Sequence, residues 1–194
     1  MDFSDAGNYR VTGVISNKAD AYGLTRAEQS NIPTTVVDHR EYASRDQFDQ
    51  ALSAAIDNYQ PGLIILAGFM RILGADFVKR YQGKILNIHP SLLPDYPGTN
   101  THQRVLDAGE RLHGVSVHFV TEELDGGPVI AQESIVIQPS DDAESLAMKI
   151  HEQEHVLYPT VESWFADGRL RLDVNDAYLD EKLLPETGKT IDAT

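Results

Sequence analysis

Asn87 and His89 stand two positions apart at the end of the run Lys84-Ile85-Leu86-Asn87-Ile88, which reads as a β-strand stopped by Pro90. Side chains alternate faces along a strand, so the amide and the imidazole point one way while Ile88 points into the core. A histidine beside a neutral amide suits a reaction in which a carbonyl oxygen gains negative charge. The amide donates a hydrogen bond to that oxygen and the imidazolium supplies a proton. Asp125, in the turn Asp125-Gly126-Gly127-Pro128, is a candidate third member. A carboxylate close to His89 would raise its pKa and keep it protonated near neutrality. Each residue also has a plainer reading. A strand-end histidine is often satisfied by a backbone carbonyl, and an aspartate before two glycines is an ordinary turn residue.

A second constellation competes with the first. His151-Glu152-Gln153-Glu154-His155 fits H-E-x-x-H, in which two histidines on one helical face hold zinc and the glutamate acts as general base. Pro159 follows four residues later, the downstream G-x-x-H continuation is absent, and nothing in its spacing singles out Glu162 as a third ligand. Arg45, near a helix start, and Arg71, after an apolar strand, are the basic residues best placed to pair with a ligand carboxylate, although each also reads as a solvated side chain. No intact G-x-G-x-x-G or P-loop is present, so neither a dinucleotide nor a nucleoside triphosphate is implied by motif.

The elements around these residues alternate in kind. Val11 to Ile15 and Thr34 to Val37 read as strands flanking a helix over Ala19 to Gln29. Phe48, Ala51, Leu52, Ala55, Ile56 and Tyr59 form one helical stripe, ended by Pro61-Gly62. Leu63 to Ala67 reads as a fully buried parallel strand and Ala75 to Tyr81 as a short helix. Pro90 to Thr101, with three prolines and a glycine, reads as a functional loop. A short helix near Gln103 to Ala108, strands over Gly114 to Val120 and Val129 to Ile137, and a long helix from about Asp142, interrupted near Pro159, follow. This is the pattern of an α/β, Rossmann-like doubly wound and mostly parallel sheet, with ligands at the carboxyl ends of its strands. Residues 1–172 read as one domain and 173–194 as a polar, loosely held tail.

Composition bounds the function. The 194 residues carry 16 Lys+Arg against 30 Asp+Glu, a formal charge of -14, which repels a phosphate backbone and argues against a nucleic-acid partner. There is no cysteine, hence no thiolate nucleophile, thiolate metal site or disulfide. The amino terminus lacks a signal-peptide pattern, and the longest near-apolar run, Leu63 to Met70, is far below the roughly 20 residues that span a bilayer. A cytoplasmic protein without membrane contact is expected.

Three runs taken together are more specific: Asn87-Ile88-His89-Pro90-Ser91-Leu92-Leu93-Pro94, Ser116-Val117-His118-Phe119-Val120, and Glu123-Leu124-Asp125-Gly126-Gly127-Pro128-Val129-Ile130. This combination resembles the folate-dependent formyltransferases. Ser16 to Ala21, Ala67 to Leu73 and Ser163 to Leu170 resemble the branch of that family that works in purine biosynthesis, and the likeness runs from about Asn8 to Leu172. The resemblance implies the formyltransferase fold and transfer of a formyl group from 10-formyltetrahydrofolate to the amine of glycinamide ribonucleotide, with no metal. It implies His89 as catalytic acid, Asn87 as donor to the formyl oxygen, and Asp125 as the carboxylate that assists proton movement. The folate would be held by Arg45, by Met70, Arg71, Ile72 and Leu73, by Asn87, and by Thr121, Glu122, Glu123, Leu124 and Asp125. The ribonucleotide would meet His151, Glu152, Gln153 and Glu154, with Glu154 the foremost candidate for the ribose hydroxyls, which replaces the zinc reading. A homodimer is compatible with it.

The resemblance departs at the start. The family opens with a strand, a phosphate-cradling loop and a helix, roughly twenty residues, whereas Met1 to Arg10 resembles the end of that first helix and the turn after it. The expectation is a chain without the central first strand and the phosphate loop, and therefore poorly stable and weakly active. The rival within the fold is a folate-binding protein without catalysis.

Overall fold

The computed structural model describes residues 8–191. The reading of Met1 to Gly7 as a helix end lies outside them. Strand β1 (Val14–Ser16), helix α1 (Tyr22–Gln29) and strand β2 (Thr34–Val36) form a first parallel unit. A short helical turn over His39–Glu41 leads to α2 (Arg45–Tyr59). Ser44 caps α2 by accepting the Gln47 N–H, and the Gln47 side chain accepts the Ala43 N–H in return. The stripe read from the sequence is the buried face, with Phe48, Leu52 and Ile56 in the core. Strand β3 (Ile64–Leu66), helix α3 (Ala75–Arg80) and strand β4 (Ile85–His89) follow, then α4 (Thr101–Asp107), β5 (Leu112–Phe119) and β6 (Val129–Val136).

The main sheet runs β3-β4-β5-β6 and closes on β10 (Lys189–Thr190). The pairs β1–β2, β3–β4 and β6–β10 are parallel, and β5 pairs antiparallel with both β4 and β6. In these two sheets three pairs are parallel and two antiparallel, as the α/β pattern implied. The sheet lies between helices. Leu86 joins Val115, Val117, Phe119 and Ile130 in a core covered by α5 (Ala143–Ala166), while Ile85 joins Phe48, Leu52, Ile56 and Phe77 on the face covered by α2 and α3. Neighbours on one strand serving opposite cores is the doubly wound arrangement.

The gap between β1 and β3 agrees with the expectation of an absent central strand, while three other expectations change. Among the described residues β1 pairs only with β2 and β3 only with β4, so the strands fall into two sheets, although Ile15 of β1 and Ile64 and Leu66 of β3 pack on the same core. Strand β3 is consequently an edge and is half-buried, not fully buried. Pro159 does not interrupt α5, which is continuous for 24 residues. Proline removes the N–H that would reach the His155 carbonyl, and the buried face of Leu146, Ile150, Leu157, Tyr158, Val161 and Trp164 outweighs that loss. The segment after residue 172 is not loosely held. Strands β7 (Leu170–Asp173), β8 (Asp176–Leu179) and β9 (Lys182–Leu183) make an antiparallel sheet, with Leu170, Ala177 and Leu179 buried in the main core. Its period-2 signal is diluted by charged residues on the outward face, which hides it in composition. No helix among the described residues is long and apolar enough to cross a membrane.

Candidate active site

The carboxyl end of β4 carries the chemistry. Antiparallel pairing sets His118 of β5 opposite Asn87, and the Asn87 amide nitrogen lies 3.1 Å from His118 Nε2. His118 Nδ1 is 2.9 Å from the Phe119 carbonyl, which can only accept, so Nδ1 carries the proton and Nε2 receives the Asn87 N–H. Burial lowers the His118 pKa and keeps this neutral tautomer, against the weaker pull of Asp125. One N–H of the Asn87 amide is thereby used and the other remains for a ligand.

Asp125 sits between two imidazoles. Its Oδ2 is 3.5 Å from His89 Nδ1 and its Oδ1 is 3.8 Å from His118 Nε2. The first distance is longer than a hydrogen bond, and the second is a contact with a neutral ring. Oδ2 also accepts the Gly98 N–H at 2.7 Å. Asp125 has φ 51°, in the left-handed region that aspartate tolerates better than most residues. His89 is 5% exposed. Its Nε2 is 2.9 Å from the Tyr96 carbonyl, so Nε2 is protonated and its hydrogen is occupied by the backbone of the loop that follows. The plainer reading of His89 is thus realised in this structure together with its approach to Asp125.

That loop is pinned from below. Ser116 Oγ donates to the Ser91 carbonyl at 2.6 Å and accepts the Leu93 N–H at 3.0 Å. Gln132, paired with Ser116 across β5 and β6, donates to the Leu93 carbonyl at 2.7 Å and to Ser116 Oγ at 2.8 Å. Ser91, Ser116 and Gln132 are all buried. The irregular segment foreseen as functional therefore hangs from a satisfied polar network and delivers Tyr96 O to His89 and Gly98 N to Asp125.

The remaining expected residues surround this cluster unevenly. Leu66, the register partner of Asn87, ends β3, so the segment Met70-Arg71-Ile72-Leu73 leaves the sheet beside the site. Met70 and Ile72 are exposed apolar side chains, as is Leu124, while Leu73 packs on the α2 core. The Arg71 guanidinium lies 5.3 Å over the Phe48 ring, and both Arg45 and Arg71 act electrostatically on Asp49. Val120 N–H donates to the Ile85 carbonyl, which starts Thr121, Glu122 and Glu123 at the edge of the same cluster. His151 finds its partners within its own helix. Its Nδ1 is 3.0 Å from Glu154, and its ring lies 4.2 Å from that of His155. Glu152 is exposed and Gln153 half-buried on the same helix. Glu162 is buried, accepts the Tyr9 hydroxyl at 2.7 Å, and has its pKa raised by desolvation. His102 of α4 lies within electrostatic reach of both His89 and Glu154, so it bridges the cluster to α5. His118, Gly98, Tyr96, Ser116 and Gln132 were not singled out from sequence. For His118 a signal existed, since it lies in one of the three runs and alternates in phase with Ser116.

The family model described as formyl transferase matches residues 4–161. The chain belongs to the formyl transferase family. It is 50% identical over 182 residues to the phosphoribosylglycinamide formyltransferase of Escherichia coli, covering 94% of this chain and 86% of that protein. It is 47% identical over 159 residues to the trifunctional purine biosynthetic protein adenosine-3 of Gallus gallus, of which that stretch is 16%. Among solved structures, the phosphoribosylglycinamide formyltransferase of Coxiella burnetii superposes with a TM-score of 0.90 at 53% identity, covering 93% of this formyl transferase and 85% of that chain.

Proposed function

We propose that this formyl transferase moves the formyl group of 10-formyltetrahydrofolate to the amine of glycinamide ribonucleotide, a step of purine biosynthesis. The observation that carries the reading is the convergence of Asn87, His89 and Asp125 at the end of β4, in a chain half identical to a phosphoribosylglycinamide formyltransferase. Attack of the amine on the formyl carbon makes a tetrahedral centre whose oxygen is anionic. The free N–H of Asn87 donates to that oxygen. The folate nitrogen must gain a proton as it leaves and the attacking amine must lose one. His89 Nε2–H supplies the first, and the Asp125 carboxylate, facing Nδ1, stabilises the imidazolium and takes up the proton released by the amine. The Tyr96 carbonyl has to yield His89 Nε2 before that transfer.

In this reading Arg45 and Arg71 meet the folate carboxylates, Met70, Ile72, Leu73 and the 121–124 turn enclose its rings, and His151 to Glu154 meet the ribonucleotide, Glu154 binding ribose hydroxyls. The test is tetrahydrofolate release by the purified chain with glycinamide ribonucleotide present and absent. Release only with the ribonucleotide supports the proposal. Folate binding without turnover supports the non-catalytic rival, and release without an acceptor makes the protein a hydrolase.

A further inference from the structure

One buried hydroxyl outside the cluster touches the backbone that carries it. Tyr158 of α5 is 3% exposed, and its hydroxyl lies 2.8 Å from the Leu86 carbonyl and 3.0 Å from the Leu66 carbonyl. Both carbonyls belong to the site's own framework. Leu66 is the register partner of Asn87, and Leu86 precedes Asn87 in the chain. The Leu86 C=O and the Asn87 N–H are parts of one planar peptide unit, so a group that fixes the carbonyl fixes the direction in which Asn87 leaves the strand.

The surroundings of the ring do not ask for a hydroxyl. Tyr158 lies in the core with Leu86, Phe119, Leu157, Val161 and Trp164, where a phenyl ring would fill the same space without burying a polar atom. The hydroxyl has one proton, which goes to one carbonyl at a time while the other stays in contact. Burial, reinforced by Glu162 one turn along α5, keeps that phenol protonated. His118 holds the Asn87 side chain from the β5 side, and Tyr158 holds its peptide from the α5 side.

We infer that Tyr158 is a positioning residue for the transfer step: its hydroxyl holds the Leu86–Asn87 peptide so that the Asn87 amide is presented to the reacting carbonyl oxygen. The inference rests on the role assigned to Asn87 above.

The experiment is a double-mutant cycle on the full chain, with kcat and KM for both substrates measured for Tyr158→Phe, Asn87→Ala and the pair. Tyr158→Phe is expected to lower kcat by about five- to tenfold with both KM values unchanged. In the Asn87→Ala background it is expected to have no further effect, because nothing remains to be positioned. A fast Asn87→Ala variant would overturn the role of Asn87, and the inference with it. A slow Asn87→Ala variant beside an unaffected Tyr158→Phe, or effects of the two that multiply, would overturn the inference alone and leave Tyr158 a core residue. A readout independent of turnover is the side-chain amide NMR resonance of Asn87, which should move in Tyr158→Phe. An unmoved resonance counts against positioning even if stability is lost.

Discussion

Asp125 is held by the Gly98 N–H and faces the His89 and His118 rings, on a backbone that few residues adopt. Asparagine keeps the shape and tolerates the left-handed conformation but loses the charge. Asp125→Asn is therefore expected to fold with a melting temperature near the parent's and to lose about a hundredfold or more in kcat, with little change in KM. Steady-state kinetics beside a thermal melt check this, and a kcat within threefold of the parent would remove Asp125 from the proton path. Asn87, His89 and Asp125 were legible because strand alternation and a Gly-Gly turn are local signals. His118 was not assigned a role, because its meeting with Asn87 depends on which strand pairs with β4 and in what register. That information lies 31 residues away, in a different run of the chain.

At the scale of elements, the loop after β4 is only as well placed as the Ser116–Gln132 pair beneath it. Gln132→Leu leaves the Leu93 carbonyl without its buried donor, at a cost of about 1–3 kcal/mol. Because Tyr96 and Gly98 ride on the same loop, activity should fall together with the urea midpoint, and cleavage by a protease within 90–100 should quicken. A resistant loop in that variant would mean that Ser116 alone suffices. Helix α2 was legible from its apolar stripe, and the structure adds the Ser44 cap at its start. Helix α5 was misjudged at Pro159, where local propensity loses to a long buried face. Strands β7 to β9 were missed because each is short and Asp180 and Glu181 occupy turn positions with positive φ that usually signal glycine or asparagine.

Taken whole, the molecule combines buried neutral histidines with a strand layer divided between the β1–β2 pair and the main sheet. His113 is 1% exposed, shares a 2.9 Å contact with His102, and has its pKa lowered to about 4 by burial. A histidine depressed in the folded state binds fewer protons there than in the unfolded chain between its folded pKa and the ordinary 6.5. The stability that this ring contributes is thus complete above 6.5 and is lost as pH falls toward about 4, on the order of 3 kcal/mol. His118 shifts the same way. Urea midpoints should fall through that window, and His113→Gln should flatten the fall; a midpoint level from neutrality to pH 4 would contradict it. Amide exchange tests the division of the sheet. Ile64 N–H is held by the Lys84 carbonyl, and alternation turns the next amide, Ile65, to the open side. Ile65 should exchange well before the amides of β5, and equal protection would show the edge to be covered.

The open side of β3 bears on how the protein behaves in a crowded tube. Among the described residues the outer edge of β3 is unpaired, the geometry by which strands of separate molecules pair side by side, and copies that each carry -14 repel one another. Salt screens that repulsion within about 8 Å at physiological strength. Association through that edge is consequently expected to grow with ionic strength, and a low-salt buffer is the better store.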